Sequence, residues 1–422
     1  MRHTTESLDR SLSRQRAILR GSIILTPVDS IPLFYDTQEQ TGFVHGLYIS
    51  DKLKSKKEKQ ASIIQFAGRE HATRDLNMIH KMFADALGAA ECSLRLLSGL
   101  HAHIALFMSL AGIGDSVLLL PETAGGHFAT KGILHRLGLR VFEMAVDFQR
   151  LCIDRIATTA ILRRIKPDFI FVDRSEGLRY EDFGYLGGIE GPVKIFDASQ
   201  FLPQIMFGHY PNPLGWGFDL LVFTLHKSFP GPQKAGVAAR ESSTLWPTLL
   251  KGLGELVSSA HTENSYRAGL VLAKESELKE YTSRLIATAI DLEKHLRGAG
   301  VPVFPRKAQG HPTWPTTHHL WLSLPSQERA FNLYQALCRA RILTNYRLLP
   351  YKLGWGLRLG TTAATVRGLS LTETKELAHI IADVYKNGAS AAARHRVRAL
   401  ARQMEPHAMT TWPLEPHQAL RM

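Results

Sequence analysis

The chain has 422 residues, 45% of them apolar and 21% charged, an ordinary globular mixture with room for a large core. No stretch reaches the ~18 consecutive apolar residues of a membrane helix. The net charge of +13 raises nucleic-acid binding, but the basic stretches 52–59, 163–166 and 394–402 interleave with no aromatic residues. They read as solvated faces, and no nucleic-acid or membrane partner is expected. The first twenty residues carry arginines and no apolar run, so no secretory leader is read there. Cys92, Cys152 and Cys338 lie far apart, form no metal spacing and suit a reducing cytoplasm.

Residues 5–20 have the mixed pattern of an N-terminal helix. After a short apolar run (21–25) and a turn-rich stretch, residues 42–74 lack clear periodicity and read as a long active-site or subunit-contact loop. Apolar positions then recur at helical spacing from Asp75 to Leu87 (Leu76, Ile79, Met82, Phe83), and Gly88 stops the helix. Strands alternate with helices from there. The segment from Leu94 is a strand turning at Ser98–Gly99 into a helix over 101–110. SVLLLP (116–121), LRVFEM (139–144), DFIFVD (168–173), VKIFDAS (193–199) and DLLVFT (219–224) are short apolar runs of buried-strand type. Helices are expected over 153–165, 249–257 and 266–296. Strands at 318–324 and 356–360, with helices at 326–341 and 371–385, describe a smaller α+β domain. The tail after Lys386 reads as partly helical. Apolar strands with helical crossovers argue a mostly parallel sheet covered on both faces, over about residues 70–240.

In such a sheet, ligands bind beyond the carboxyl ends of the strands. Ser98–Gly99 precedes a helix whose free N–H groups suit a phosphate. Gly125–Gly126–His127 is a turn carrying a flat imidazole. Ser175 follows DFIFVD, Asp197 ends VKIFD, and Lys227 follows DLLVFT beside a rigid turn with two prolines. A lysine there, partly stripped of its charge by burial, is a nucleophilic amine. An anion site, an imidazole, a carboxylate and a lysine describe a site for pyridoxal 5'-phosphate: the lysine forms a Schiff base and the carboxylate pairs with the pyridinium nitrogen.

Ser98–Gly99, Ala124–Gly125–Gly126–His127, Asp197, FTLHKSFPGPQKAGV around Lys227 and GLRLGTTAATVRGL from Gly356 stand in the order and spacing of one family. On these segments the chain resembles the serine hydroxymethyltransferase group of fold-type I pyridoxal-phosphate enzymes, over most of residues 20–385. The resemblance implies an aspartate aminotransferase-like α/β large domain with a mostly parallel seven-stranded sheet. It implies an N-terminal helix and arm over 1–45, the large cofactor domain over 46–265, and a C-terminal α+β domain with basic tail over 266–422. It further implies that Lys227 carries the cofactor, Asp197 holds its ring nitrogen and His127 stacks on the ring and moves protons. Ser98, Gly99 and Leu100 lie at the phosphate, while Ser175, Gln200 and His226 complete the cofactor contacts. Arg358 grips the substrate carboxylate, for which its planar fork is suited. Tyr48 and Ser50 lie by the substrate, and the enzyme is a homodimer with its sites at the subunit interface.

Departures from the family pattern narrow the reaction. Ser50 stands where a catalytic glutamate is usual, and Gln65–Phe66–Ala67–Gly68 falls where paired tyrosines are usual. Gln200 replaces a histidine, Leu100 a serine and Leu225 a threonine. Folate-borne hydroxymethyl transfer needs an acid/base near the substrate β-oxygen, and that equipment is reduced. The expectation is therefore a folate-independent enzyme of specialised, antibiotic-type metabolism acting on a β-substituted L-amino acid. The favoured reaction is β-elimination from a cysteine S-conjugate. The alternatives are threonine-type transaldolation or aldol cleavage, decarboxylation-linked oxidative deamination of the S-conjugate, and true hydroxymethyl transfer.

Overall fold

The computed structural model describes residues 5–31, 49, 53–62, 64, 66–178, 180–243, 245–305 and 317–404. The chain divides into two compact units, one of Pro32–Gly177 with Glu181–Lys279, the other of Met1–Ile31, Leu178–Tyr180 and Glu280–Trp412.

The larger unit is built on a seven-stranded sheet. Its strands are β1 (Glu91–Ser93), β2 (Ser116–Leu119), β3 (Arg140–Glu143), β4 (Phe169–Asp173), β5 (Val193–Asp197), β6 (Leu220–Thr224) and β7 (Ala235–Ala239). Their order across the sheet is β1-β7-β6-β5-β4-β2-β3. Only β7 runs against the rest, paired antiparallel with β1 and β6. Every residue of β2, β4, β6 and β7 is buried, which explains continuous apolar runs in place of alternation. Leu96, Leu106, Phe107, Phe169, Phe171, Val222, Leu249 and Leu253 belong to the core on one side of this sheet. There Phe107 meets the rings of Phe169 and Phe171 at 5.5 and 5.4 Å.

Most expected elements are present, and the departures have physical reasons. The expected strand from Leu94 lies earlier, at β1, although Ala235 N still donates to Leu96 O at 3.0 Å. Strand β7 (AGVAA) escapes hydropathy reading because it is made of small residues. A Cβ on Gly236 would come within 2.6 Å of the Phe223 ring and 2.7 Å of Leu94, so the strand is small for want of space. The expected 266–296 helix is two, Thr262–Leu272 and Glu275–Gly298. Within the expected 42–74 loop stands a helix, Lys56–Ala61, held by a Ser55–Glu58 capping box. It buries no residue, so hydrophobic periodicity has nothing to register. The following helix begins at Glu70, before its first apolar repeat.

The smaller unit holds a three-stranded antiparallel sheet of β8 (His319–Ser323), β9 (Asn345–Leu348) and β10 (Trp355–Gly360), with β10 central. The helices Gln327–Arg339, Leu371–Asn387 and Ala391–Gln403 bring Leu337, Leu377, Ile381 and Val397 into its core. Arg367 is buried and ties this unit together through carbonyls of Leu19, Arg20, Ser22 and Ala401. Among the described residues, no helix is long and apolar enough to cross a membrane.

Candidate active site

The carboxyl ends of the parallel strands supply the chemistry. Asp173 and Asp197 end neighbouring strands β4 and β5 and stand opposite each other in the parallel register. The β6–β7 hairpin carries Lys227. It is pinned at its base by Leu225 N to Lys234 O (2.9 Å), and inside by Gly231 N to Leu225 O (2.8 Å). After β2, a tight turn presents His127. Gly125 has φ +93°, a Cβ there would lie 2.3 Å from Glu176 O, and one on Gly126 would lie 2.3 Å from Leu120 O. Only glycines admit this approach of the two segments. Ser98 caps the helix Gly99–Leu110 by position, without spending its hydroxyl on the helix. The first-turn N–H groups there have no intrahelical acceptor, which makes that end attractive to an anion.

These elements converge on one cleft of about 250 Å³, lined by Ser98, Gly99, Leu100, His103, His127, Asp173, Arg174, Ser175, Asp197, Ser199, Gln200, His226 and Lys227. All nine residues expected to touch the cofactor line it, so the structure gathers them. Tyr48 and Ser50, expected at the substrate, lie outside the described residues. Arg358 belongs to the smaller unit, on central strand β10, where it is buried and its Nε donates to Asn345 Oδ1 at 3.2 Å. Burial lowers its pKa to about 10, so it stays charged at neutral pH.

Sequence reasoning missed His103, Asp173, Arg174 and Ser199. His103 Nε2 donates to Asp197 Oδ2 at 2.7 Å, and Asp197 Oδ1 accepts from Ser199 N at 2.7 Å. On the other side, His103 Nδ1 lies 3.3 Å from Thr130 Oγ1, which itself hydrogen-bonds Asp173 Oδ2. Burial disfavours charge on His103, but Asp173 and Asp197 prevail and raise its pKa. Burial likewise works against an ionised Asp197, yet the hydrogen bond and charge of His103, with Lys227, bring its pKa to about 2. Burial raises Asp173, opposed by His103 and reinforced by Asp197. His226 is lowered, by burial and then by Lys227, and favours the neutral imidazole. His103 was hidden because HAHIALF reads as a helix face. Its spacing of four from the Gly99 start of the helix is the signal that places it over the strand ends.

The cleft fits pyridoxal phosphate by the chemistry of its donors. A helix N-terminus with Ser98 suits a phosphate, an anionic carboxylate suits a protonated ring nitrogen, a half-buried imidazole suits a ring face, and Lys227 suits a carbonyl carbon. Together with the sheet order and the antiparallel β7, this defines the class of the protein. It has the fold of the fold-type I pyridoxal-phosphate transferases.

Known proteins agree with that class and refine it. No family model matches the chain. An L-threonine:uridine-5'-aldehyde transaldolase from a Streptomyces species is 28% identical over 330 residues, 74% of this chain and 76% of that protein. A serine hydroxymethyltransferase of Pyrobaculum islandicum is 27% identical over 319 residues, 73% of each chain. Among solved structures, the L-threonine transaldolase from Pseudomonas fluorescens in its internal aldimine state matches with a TM-score of 0.86 at 21% identity. That match covers 96% of this chain and 92% of the other. The chain is a divergent, serine hydroxymethyltransferase-like enzyme, with threonine transaldolases among its relatives. The expected β-elimination of a cysteine S-conjugate draws no support from these relatives, whereas the transaldolase alternative does.

Proposed function

We propose that the chain is a pyridoxal-phosphate-dependent, folate-independent threonine transaldolase. It takes L-threonine, breaks the Cα–Cβ bond with release of acetaldehyde, and joins Cα to the carbonyl carbon of a second aldehyde to give a new β-hydroxy amino acid. The observation that carries this reading is the single cleft holding Lys227, Asp197, His127 and the helix N-terminus. Similarity to two proteins named as threonine transaldolases supports this choice of reaction. Pyridoxal phosphate, when bound, supplies the sink for the electron pair left at Cα.

The chain's own residues do the rest. Lys227 binds the cofactor carbonyl, Asp197 pairs with the ring nitrogen, and Ser98, Gly99 and Leu100 receive the phosphate. His127 covers the ring and, within reach of the substrate, moves the threonine hydroxyl proton. Ser175, Gln200 and His226 complete the wall around the cofactor, and Arg358 holds the amino-acid carboxylate. Gln200 supplies an amide where the resembling family has a titratable histidine. It can orient a ligand by hydrogen bonding but does not titrate.

A homodimer belongs to this reading. Leu100, Ile104 and Met108 are exposed at four-residue spacing on the helix Gly99–Leu110, and this apolar stripe starts at the cleft wall. A second copy is its natural cover, and Ile104→Arg would then yield monomers in analytical ultracentrifugation.

One screen tests the reaction. The protein is incubated with L-threonine plus an aldehyde, L-serine plus tetrahydrofolate, and an S-alkyl-L-cysteine, and products are identified by mass. Acetaldehyde with a new β-hydroxy amino acid is the expected outcome. Pyruvate, ammonia and a thiol from the cysteine conjugate, without the first, would overturn it in favour of β-elimination. Turnover only with serine and folate would return the chain to hydroxymethyl transfer.

A further inference from the structure

The cleft floor contains more acid than one cofactor nitrogen requires. Asp173 and Asp197 end adjacent parallel strands in register, both buried, and two like charges so placed repel strongly where water cannot screen them. Between them stands one titratable cation-former, the buried His103, supported by Thr130. Lys227 is the other charged group facing it, and His127 lies edge-on at 6.3 Å between ring centroids. Phe171, on β4, closes a further side with its ring at 5.0 Å.

The hydrogen bonds allow one proton to be counted. With the Thr130 hydroxyl donating to Asp173, its oxygen accepts from His103 Nδ1–H, and Nε2–H is donated to Asp197: the imidazole is charged and Asp173 is ionised. If the proton moves along the chain, Asp173 donates to Thr130, Thr130 donates to Nδ1, and the imidazole is neutral. In both arrangements Asp173, Thr130 and His103 sum to zero charge, and Asp197 retains a single negative charge.

We propose that His103, through Thr130 and Asp173, is a positioning residue for Asp197: it fixes the carboxylate under the cleft and leaves one net negative charge there. This rests on the reading of the cleft as a pyridoxal-phosphate site, where the partner of that charge is the protonated ring nitrogen. His103 touches neither cofactor ring nor substrate in this role, and acts through Asp197. The same network also explains a second buried carboxylate, Asp173, that the reaction itself does not use.

Apo-protein is titrated with pyridoxal phosphate by fluorescence, and the absorption band of the bound cofactor is followed against pH. Calorimetry on each apo-protein establishes folding. His103→Gln keeps an amide donor toward Asp197 but removes the shared proton, leaving two carboxylates uncompensated. Affinity is expected to fall by about tenfold or more, the worth of a charge-assisted hydrogen bond, and the pH midpoint of the band to move. Adding Asp173→Asn to His103→Gln restores one net negative charge and recovers most of the affinity. Should His103→Gln not fold, His103→Asn, which likewise keeps an amide donor and removes the shared proton, takes its place, and the same loss and shift are expected. A folded His103→Gln that binds within twofold of the parent with an unmoved pH profile would overturn the inference, as would a folded double variant without recovery. A parent protein that takes up no pyridoxal phosphate would instead sink the reading of the cleft, so the two failures are distinct.

Discussion

Replacing Gly125 by alanine tests how the His127 turn is built. The residue has φ +93°, and its Cβ would meet the Glu176 carbonyl oxygen at 2.3 Å, about an ångström inside van der Waals contact. The neighbour cannot step aside cheaply, because it is backbone. Glu176 N donates to Gly125 O at 2.9 Å, and Gly126 bridges Arg174 on the same strand exit. The left-handed conformation costs about 1–2 kcal/mol for a residue with a Cβ. Overpacking against a fixed wall adds about 1–3 kcal/mol. The sum, about 2–5 kcal/mol, corresponds to a melting-point loss of roughly 5–15 °C in a domain of this size. Differential scanning calorimetry measures it, with Gly188→Ala as control. Gly188 is in the right-handed helical region with nothing within 4 Å of its Cβ, so alanine there leaves Tm almost unchanged. Should Gly125→Ala melt within 1 °C of the parent, the turn is not held by this contact and the argument fails.

Lys227→Ala is expected to abolish the yellow colour of the cofactor-loaded protein and all turnover while the apo-protein keeps its Tm; residual turnover measured by mass spectrometry would contradict the role given to the lysine. Phe107→Ala removes a ring packed on Phe169 and Phe171 and is expected to cost about 3–5 kcal/mol in denaturant unfolding of the apo-protein. Arg358→Lys loses the fork that reaches Asn345, and KM for L-threonine is expected to rise about tenfold or more in steady-state kinetics, the loss of a charge-assisted bond. For pH, His103 has a raised pKa in the fold, so its contribution is complete below the ordinary imidazole value and is lost as pH rises through the higher folded value. Asp197 behaves oppositely: its contribution is complete above the ordinary carboxylate value and is lost as pH falls to about 2. The apo-protein Tm is therefore expected to decline on the alkaline side in the parent and less in His103→Gln, as calorimetry across pH would show.

Much of this protein is decided locally. Runs such as FIFVD and LLVFT are buried on both faces, and that alone declares parallel strands under helices. Lys227, Asp197, His127 and Ser98 follow or end such runs, so their convergence at one edge of the sheet is legible in the sequence. Three features were not legible: two depend on neighbours distant in the chain, and one leaves no hydrophobic pattern to read. Strand β7 consists of small residues, imposed by Phe223 and Leu94, and its antiparallel course turns the lysine loop into a hairpin. The Lys56–Ala61 helix buries nothing, so only its capping box marks it. His103 sits within an apolar helix, and nothing in HAHIALF says that one histidine meets Asp197 across 94 residues while Asp173 waits on the other side. Sequence determined which groups are present and where the strands end. Only tertiary structure decided that two carboxylates lie side by side, and that a buried imidazole with one shared proton offsets one of their two charges, because charge compensation is a property of separations in space.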